Sequence, residues 1–457
     1  WYPSNKPTSS PSSIPSLTPT KSHTPTFKPT PKPFSYDFPS EPEPVDPPSG
    51  YFNYDPASDY GPDKWEDMST DDIKNTPEYN YWKQFDYAIK EDLSQNFCGG
   101  NKDKQKDFEQ SPIDIFDTNA TCREYHQIRD RPGDYLLTDD EITMQILHNK
   151  LRIIFPKQEG EEPDSPKADI PKGWGDFLPV THVDIILPGE HTINGTEYVG
   201  EYRIYHLHQS GKGVPVVTVM MDLNPANKNN PHLQQALNQW KEIFNEHAEE
   251  CEDQRRLEQG LDPVPPGGID FFSNTLSFDD EQEEVKENDE PQPEISHPQN
   301  HDRHQLRRAK EVINTKDPSD PYTSFGRWDP YRMGSILNTY WFYGYEGSLT
   351  EPPCTQFAHY RIMDKPMLIS KPQLKFMRKL IFLHEQKQKD GTCVRTSNHF
   401  NGRVNRPLQE LKGRGIHQCT CEHFTHDEYR YSGGPFVCTA DQVSDPPMGK
   451  YTPSDSP

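Results

Sequence analysis

At 457 residues, with 31% hydrophobic content, 47 prolines and a formal charge of −24, the chain has room for one large domain with appendages or for two or three small ones. The charge excludes nucleic acid as a partner, because phosphates would repel it, and leaves cation binding open. Low hydrophobic content with excess proline points to a folded part diluted by disordered segments, and no apolar run approaches the roughly 18 residues that cross a bilayer. The chain opens at Trp1 without a leader-like apolar segment, as expected of a mature or trimmed form.

Residues 1–33 are nearly all Pro, Ser, Thr and Lys, with prolines at 3, 7, 11, 15 and 19 and again at 25, 29 and 33. Fixed φ and missing donors rule out a core, so a disordered stalk rich in polyproline II is expected, continuing as acidic linker to residue 50. Aromatic residues accumulate from Tyr51 onward. Segments 143–155, 178–187, 198–207 and 214–223 are β-rich and bounded by Gly, Pro or Asn, and read as strands. Residues 232–259 carry Leu233, Leu237, Trp240 and Phe244 at helical spacing and read as an amphipathic helix, as does 373–386. Residues 279–321 are acidic and nearly free of apolar side chains, which predicts a disordered insertion. Residues 412–457 read as a cysteine-containing tail. With no βαβ alternation, the class is mainly β (α/β mixed) with peripheral helices.

Eight cysteines stand at 98, 122, 251, 354, 393, 419, 421 and 438. Their even number invites disulfides, and Cys419-Thr420-Cys421 is too tight for a zinc knuckle. Sequons at Asn119 and Asn194 lean towards a secreted glycoprotein.

Several motifs follow one another in order: "YGPDKW" (60–65), "QSPIDI" (110–115), the "EHT" turn (190–192), "EYRIYH" (201–206), "GSLTEPPC" (347–354) and "NGRVNRPLQ" (401–409). In this order the chain resembles the α-class carbonic anhydrases over residues 51–411. The resemblance implies a large twisted, mostly antiparallel sheet around a conical cleft. It also implies a disulfide between Cys98 and Cys354, as in secreted members.

Family chemistry needs three neutral imidazoles on one zinc and an open fourth position for the water that becomes the nucleophile. The resemblance places those ligand positions at His182, Asp184 and Arg203, with Glu201 as the acid behind them. Only His182 is kept. A guanidinium has no lone pair to give and puts a positive charge where a dication would sit. His206 is an odd number of residues from Arg203 and is expected to face the other side of its strand. Asp184 and Arg203 are expected to form a direct ion pair across adjacent strands in place of the metal. Glu190 and Thr350 match the pair that orients the zinc hydroxide, and their retention also has a structural explanation. Glu351 is expected to add negative charge at the pocket mouth, and the proton-shuttle position falls on Leu151. Arg403 matches a structural arginine.

Two functions are compatible with this. One is a secreted carbonic-anhydrase-like protein without zinc or other cofactor and without carbon dioxide hydration. It would act as an extracellular binding or structural module, with an extracellular matrix component, a cation or a glycan as candidate partner. The alternative is an active zinc carbonic anhydrase with an unusual ligand set. The residues name no particular partner, cleft ligand or oligomeric state.

Overall fold

The computed structural model of the chain describes residues 52–99, 109–116, 122, 124, 128–156, 165–170, 177–208, 213–265, 270–274 and 327–420. The expected stalk (1–50), the insertion (279–321), Asn119, Cys421 and Cys438 lie outside the described residues.

In chain order, short helices α1 (Thr70–Lys74) and α2 (Pro77–Trp82) precede the strands β1 (Asp114–Ile115), β2 (Arg129–Arg131), β3 (Thr143–Ile146), β4 (Leu151–Ile154), β5 (Lys167–Asp169), β6 (Leu178–Ile186), β7 (Thr192–Ile193), β8 (Gly200–His206) and β9 (Val214–Leu223). Helices α3 (Pro231–Glu258) and α4 (Phe271–Asn274) come next. Then come β10 (Phe342–Gly347), β11 (Ala358–Met363), β12 (Met367–Ile369), helix α5 (Lys371–Phe382), β13 (Glu385–Lys387), β14 (Cys393–Arg395) and β15 (His417–Cys419). An eleven-stranded sheet runs β15-β10-β11-β9-β8-β6-β4-β3, with β12 on β9 and the β2–β5 pair on β6. Among the described pairings of this sheet only β9 with β11 and with β12 are parallel. The mainly β class with peripheral helices read from the sequence is the class of the structure.

Side-chain alternation explains why this sheet is buried on both faces. On β9, Val217, Val219 and Met221 enter one core cluster, while Val214, Val216 and Met220 enter the other. The first cluster is covered by α3 and α5 through Leu233, Leu237, Trp240, Leu374 and Met377. The second is covered by Tyr81 and Trp82 of α2 and by Phe85. Helix α3 starts where Asn230 caps Leu233 N–H and Pro231 takes the first helical position. Trp240 Nε1 donates to Gln145 O of β3 at 3.1 Å, so the helix covers the sheet's edge.

Two segments differ from the sequence reading. Segment 143–155 is a hairpin, not one strand, because His148 and Asn149 form a turn in which Leu147 N–H donates to Lys150 O at 2.9 Å. The helix read over 373–386 ends at Phe382. Residues beyond it form β13, paired with β14, and Cys393 at the end of that hairpin is bonded to Cys251 of α3. That tertiary tie and the strand pairing outweigh the local helical pattern. Residues 417–419, read as part of the tail, are the edge strand β15.

Among the described residues three disulfides join Cys98–Cys354, Cys122–Cys419 and Cys251–Cys393, with Cα separations of 4.9, 4.7 and 5.6 Å. Replacing Cys98 and Cys354 together by serine is expected to cost about 2–5 kcal/mol of unfolding free energy in a denaturant titration. An unchanged midpoint would mean that the remaining contacts already hold these two segments together.

Candidate functional site

Strands β6 and β8 are antiparallel, with Asp184 directly opposite Arg203 and Ile186 opposite Glu201. A register shift between Val180 and His182 turns the strand. It lets Val180 and Val183, three residues apart, both reach the α3-side core, and it leaves His182 and Asp184 on the opposite face. Glu201, Arg203 and Tyr205 share that face by alternation. His206 is on the other side, where its Nε2 meets Tyr331 Oη at 2.6 Å.

The expected direct pair between Asp184 and Arg203 does not form. Arg152 of β4 lies opposite Asp184 on the strand's other flank, and its fork takes both carboxylate oxygens. Nε donates to Oδ1 at 2.6 Å and NH2 donates to Oδ2 at 2.7 Å. Such two-point geometry is the strongest arrangement open to an arginine and a carboxylate. Arg203 instead donates from Nε to Glu201 at 2.7 Å, from NH2 to Glu190 at 2.8 Å and from NH1 to Thr350 Oγ1 at 2.7 Å. Glu190 and Thr350 are thus both occupied by the guanidinium. Burial works against the Arg203 charge, but Glu201 and Glu190 push its pKa well above the usual value. Burial would raise Glu201, but Arg203 and His191 hold it far below the ordinary carboxylate range.

A second group of buried charges adjoins the first. Lys150 lies 3.4 Å from Asp184 and 3.0 Å from Glu78 of α2, and it also pairs with Glu351. Arg152 NH2 reaches Glu78 at 2.6 Å, and Trp82 Nε1 donates to the other Glu78 oxygen at 2.9 Å. Burial alone would raise the Glu78 carboxyl, yet Arg152 and Lys150 hold it at about 2. Glu351 does not project into a pocket mouth as expected: it is buried, paired with Lys150 and accepting from Asn149 Nδ2 at 2.7 Å. Leu151, read as the shuttle position, faces the main core, so the cleft side of β4 carries Lys150 and Arg152.

His182 is enclosed. Tyr205 stacks on its ring at 4.3 Å, while Tyr81 and Trp82 meet it edge-on at 4.5 and 5.3 Å. Its Nδ1 contacts Thr181 Oγ1 at 3.0 Å, and Nε2 lies 3.6 Å from Asp184. Burial first and Arg152 second lower its pKa to about 4, so it is neutral at pH 7. These residues do not fit a catalytic zinc. One imidazole is walled in by three aromatic rings, the carboxylate is used by Arg152, and the third position is a guanidinium. Among the described residues no group of three or more His, Cys, Asp or Glu side chains is placed to hold a metal ion.

Three charged members lie outside the sequence-derived set: Lys150, Arg152 and Glu78. The first two had a signal, two basic residues at alternate positions of an apolar strand. Glu78 had none, because its helix lies between "YGPDKW" and "QSPIDI", where the resemblance offers no motif. The arginine that ties the motifs together is Arg406, not Arg403. Arg406 NH1 donates to Gln110 Oε1 and Ser111 O at 2.9 Å, and NH2 to Cys98 O at 2.8 Å. Arg403 is half-exposed beside Glu197 at 3.4 Å.

A family model described as eukaryotic-type carbonic anhydrase matches residues 295–420. That match includes Thr350 and Cys354 but not His182, Asp184 or Arg203. The putative carbonic anhydrase 5 of Caenorhabditis elegans is 38% identical over 80 residues, 18% of this chain and 22% of that protein. Mitochondrial carbonic anhydrase 5B of Mus musculus is 29% identical over 124 residues, 27% of this chain and 34% of that protein. The chain therefore matches about a quarter to a third of the length of these relatives. Among solved structures, the α-carbonic anhydrase of Thermovibrio ammonificans in complex with sulfanilamide superposes with a TM-score of 0.40 at 19% identity, covering 80% of this chain and 98% of that one.

Arg203→Met is expected to cost about 3–5 kcal/mol in equilibrium unfolding, since it strands Glu201 and Glu190 without a counter-charge. A loss under about 1 kcal/mol would mean that water reaches those carboxylates. Acid sensitivity follows from other buried imidazoles. Burial holds His148, His206 and His384 at about 3, against an ordinary value of 6.5. The unfolded chain takes up these protons near 6.5 while the folded chain resists, so the contribution of these imidazoles is complete above that pH and is lost as pH drops towards 3. Glu78, ordinarily 4.5 and here about 2, adds to the loss below 4.5. Burial raises Asp329 and Asp364 to about 6, which opposes this trend in part below that pH, so unfolding measured at a series of pH values should show its first decline between about 7 and 6; a rise in stability over that interval would contradict it.

Proposed function

We propose that this chain, which carries an α-carbonic-anhydrase-like domain, is a secreted protein that neither holds catalytic zinc nor hydrates carbon dioxide, and that it serves as an extracellular binding or structural module. The observation that carries the reading is Arg203. Its guanidinium occupies Glu190 and Thr350, the two residues that the resemblance assigns to orienting a zinc hydroxide. The aromatic enclosure of His182 and the engagement of Asp184 by Arg152 support the same reading.

Secretion is supported by three disulfides, which form and persist in oxidising compartments. Among the described residues no helix is long and apolar enough to cross a membrane. The candidate partner classes are a matrix component, a cation or a glycan, and the acidic run 279–290 is the feature of the sequence that favours a cation.

Zinc stoichiometry and carbon dioxide hydration measured on one sample test this. The expected result is well under one zinc per chain and hydration at the uncatalysed rate. Asp184→His with Arg203→His is not expected to restore zinc by itself, because Arg152 would lose its main carboxylate and α2 would still cover His182. Stoichiometric zinc with His182 and Asp184 among its ligands would replace this reading with that of an enzyme with an unusual ligand set.

A further inference from the structure

We propose that Asn194 carries an N-linked oligosaccharide. The proposal rests on the reading of the chain as secreted and adds to it a particular side chain and a donor class.

Asn194-Gly195-Thr196 forms the tip of a tight turn that leaves β7. Asn194 and Gly195 have φ of 51° and 72°, and Ile193 and Thr196 exchange two main-chain hydrogen bonds of 3.2 and 2.9 Å. Two successive left-handed residues make the reverse turn that Asn-Gly favours over other dipeptides. The turn's base is pinned from below. Asp114 Oδ1 accepts from Gly195 N at 2.9 Å and from Thr192 Oγ1 at 2.6 Å, and Asn194 N–H donates to Ile115 O at 2.6 Å. These bonds use main-chain groups and the side chains of Thr192 and Asp114.

The consequence is a sharp change of exposure. Thr192 and Ile193 are buried, whereas Asn194, Thr196 and Glu197 are exposed. A bulky hydrophilic group carried by Asn194 therefore starts from an exposed residue at the tip of the turn. The sequon is chemically intact: Gly195 stands in the middle, Thr196 supplies the hydroxyl and Glu197 follows, with no proline among them.

In the reaction, the Asn194 amide nitrogen attacks the anomeric carbon of a lipid-pyrophosphate-linked oligosaccharide. A carbon–nitrogen bond forms, the bond from that carbon to the pyrophosphate oxygen breaks, lipid pyrophosphate leaves and the amide proton passes to a base of the transferase. The transfer takes place on the extended chain before folding, so the fold has only to accept the product. The three disulfides favour folding in an oxidising compartment, of the kind in which such transferases work.

The test has two arms. In the first, the full chain is expressed in eukaryotic cells behind a cleavable secretion leader, so that it meets the transferase whatever its own route. Secreted protein with all three disulfides is treated with peptide N-glycosidase in heavy-oxygen water and mapped by mass spectrometry. Label at position 194 in most of the material is expected, with Asn194→Gln losing one glycan's mass while keeping the disulfides. Unmodified Asn194 in folded, secreted protein overturns the site. The second arm maps the same peptide in protein taken from its own source. A glycan there supports both inferences. An occupied site in the first arm with a bare Asn194 in the second overturns the proposal for the native protein, through the secretion reading and not through the geometry of the turn.

Discussion

A guanidinium sealed inside a β-sheet domain must be met on every side by acceptors, because a buried unpaired cation costs several kcal/mol. Arg203 is 1% exposed and lies on a central strand. Its needs fix much of the surrounding architecture. Glu201, two residues earlier on the same face, must turn towards it, and the same carboxylate holds the main-chain N–H groups of Glu190 and His191 at 2.8 and 2.9 Å. Glu190 in turn receives Arg406 N–H at 3.0 Å, and Arg406 reaches Gln110, Ser111 and Cys98. One cation thus links β8, the turn after β6, the loop holding Thr350 and the two ends of the motif region.

The neighbouring group obeys the same rule and explains why α2 sits where it does. Once Asp184 is present on β6, Arg152 and Lys150 beside it need more negative charge than one carboxylate supplies. Glu351 provides part, and Glu78 provides the rest from a helix held down by Tyr81, Trp82 and Phe85. A fully satisfied polar network in a low-dielectric interior is stiff, whereas a partly satisfied one is worse than an apolar core. Substitution at one member is therefore transmitted to the others, and α2 is bound to the sheet by charge as well as by aromatic packing.

The strands were legible because alternate residues of β6, β8 and β9 divide between the two sides of the sheet, and because the motifs around "QSPIDI" and "GSLTEPPC" stand in a recognisable order. The same alternation brought Asp184 opposite Arg203 and sent His206 to the other side. It could not choose between two arginines flanking one aspartate, since that choice depends on fork geometry and on which other carboxylates each arginine can reach. Nor could periodicity find Glu78, whose role depends on a tertiary contact between residues 72 and 74 positions apart. Helix α5 is legible from its apolar spacing, but its end is not, because the β13–β14 hairpin is held by a distant cysteine rather than marked by a local stop signal.

The placement of the three disulfides bears on how the molecule withstands cutting. Cys98–Cys354, Cys122–Cys419 and Cys251–Cys393 each have one partner before residue 275 and one after residue 326. A protease that cleaved the chain anywhere between those two positions would sever one peptide bond and still leave the two fragments joined by three covalent bridges. The product would be a two-chain molecule, with β10, β11, β12 and β15 of the downstream fragment still hydrogen-bonded in a sheet whose other strands belong to the upstream fragment. Only reduction would let the pieces part, so the mass of such a nicked form would be unchanged on a non-reducing gel and would divide in two on a reducing one.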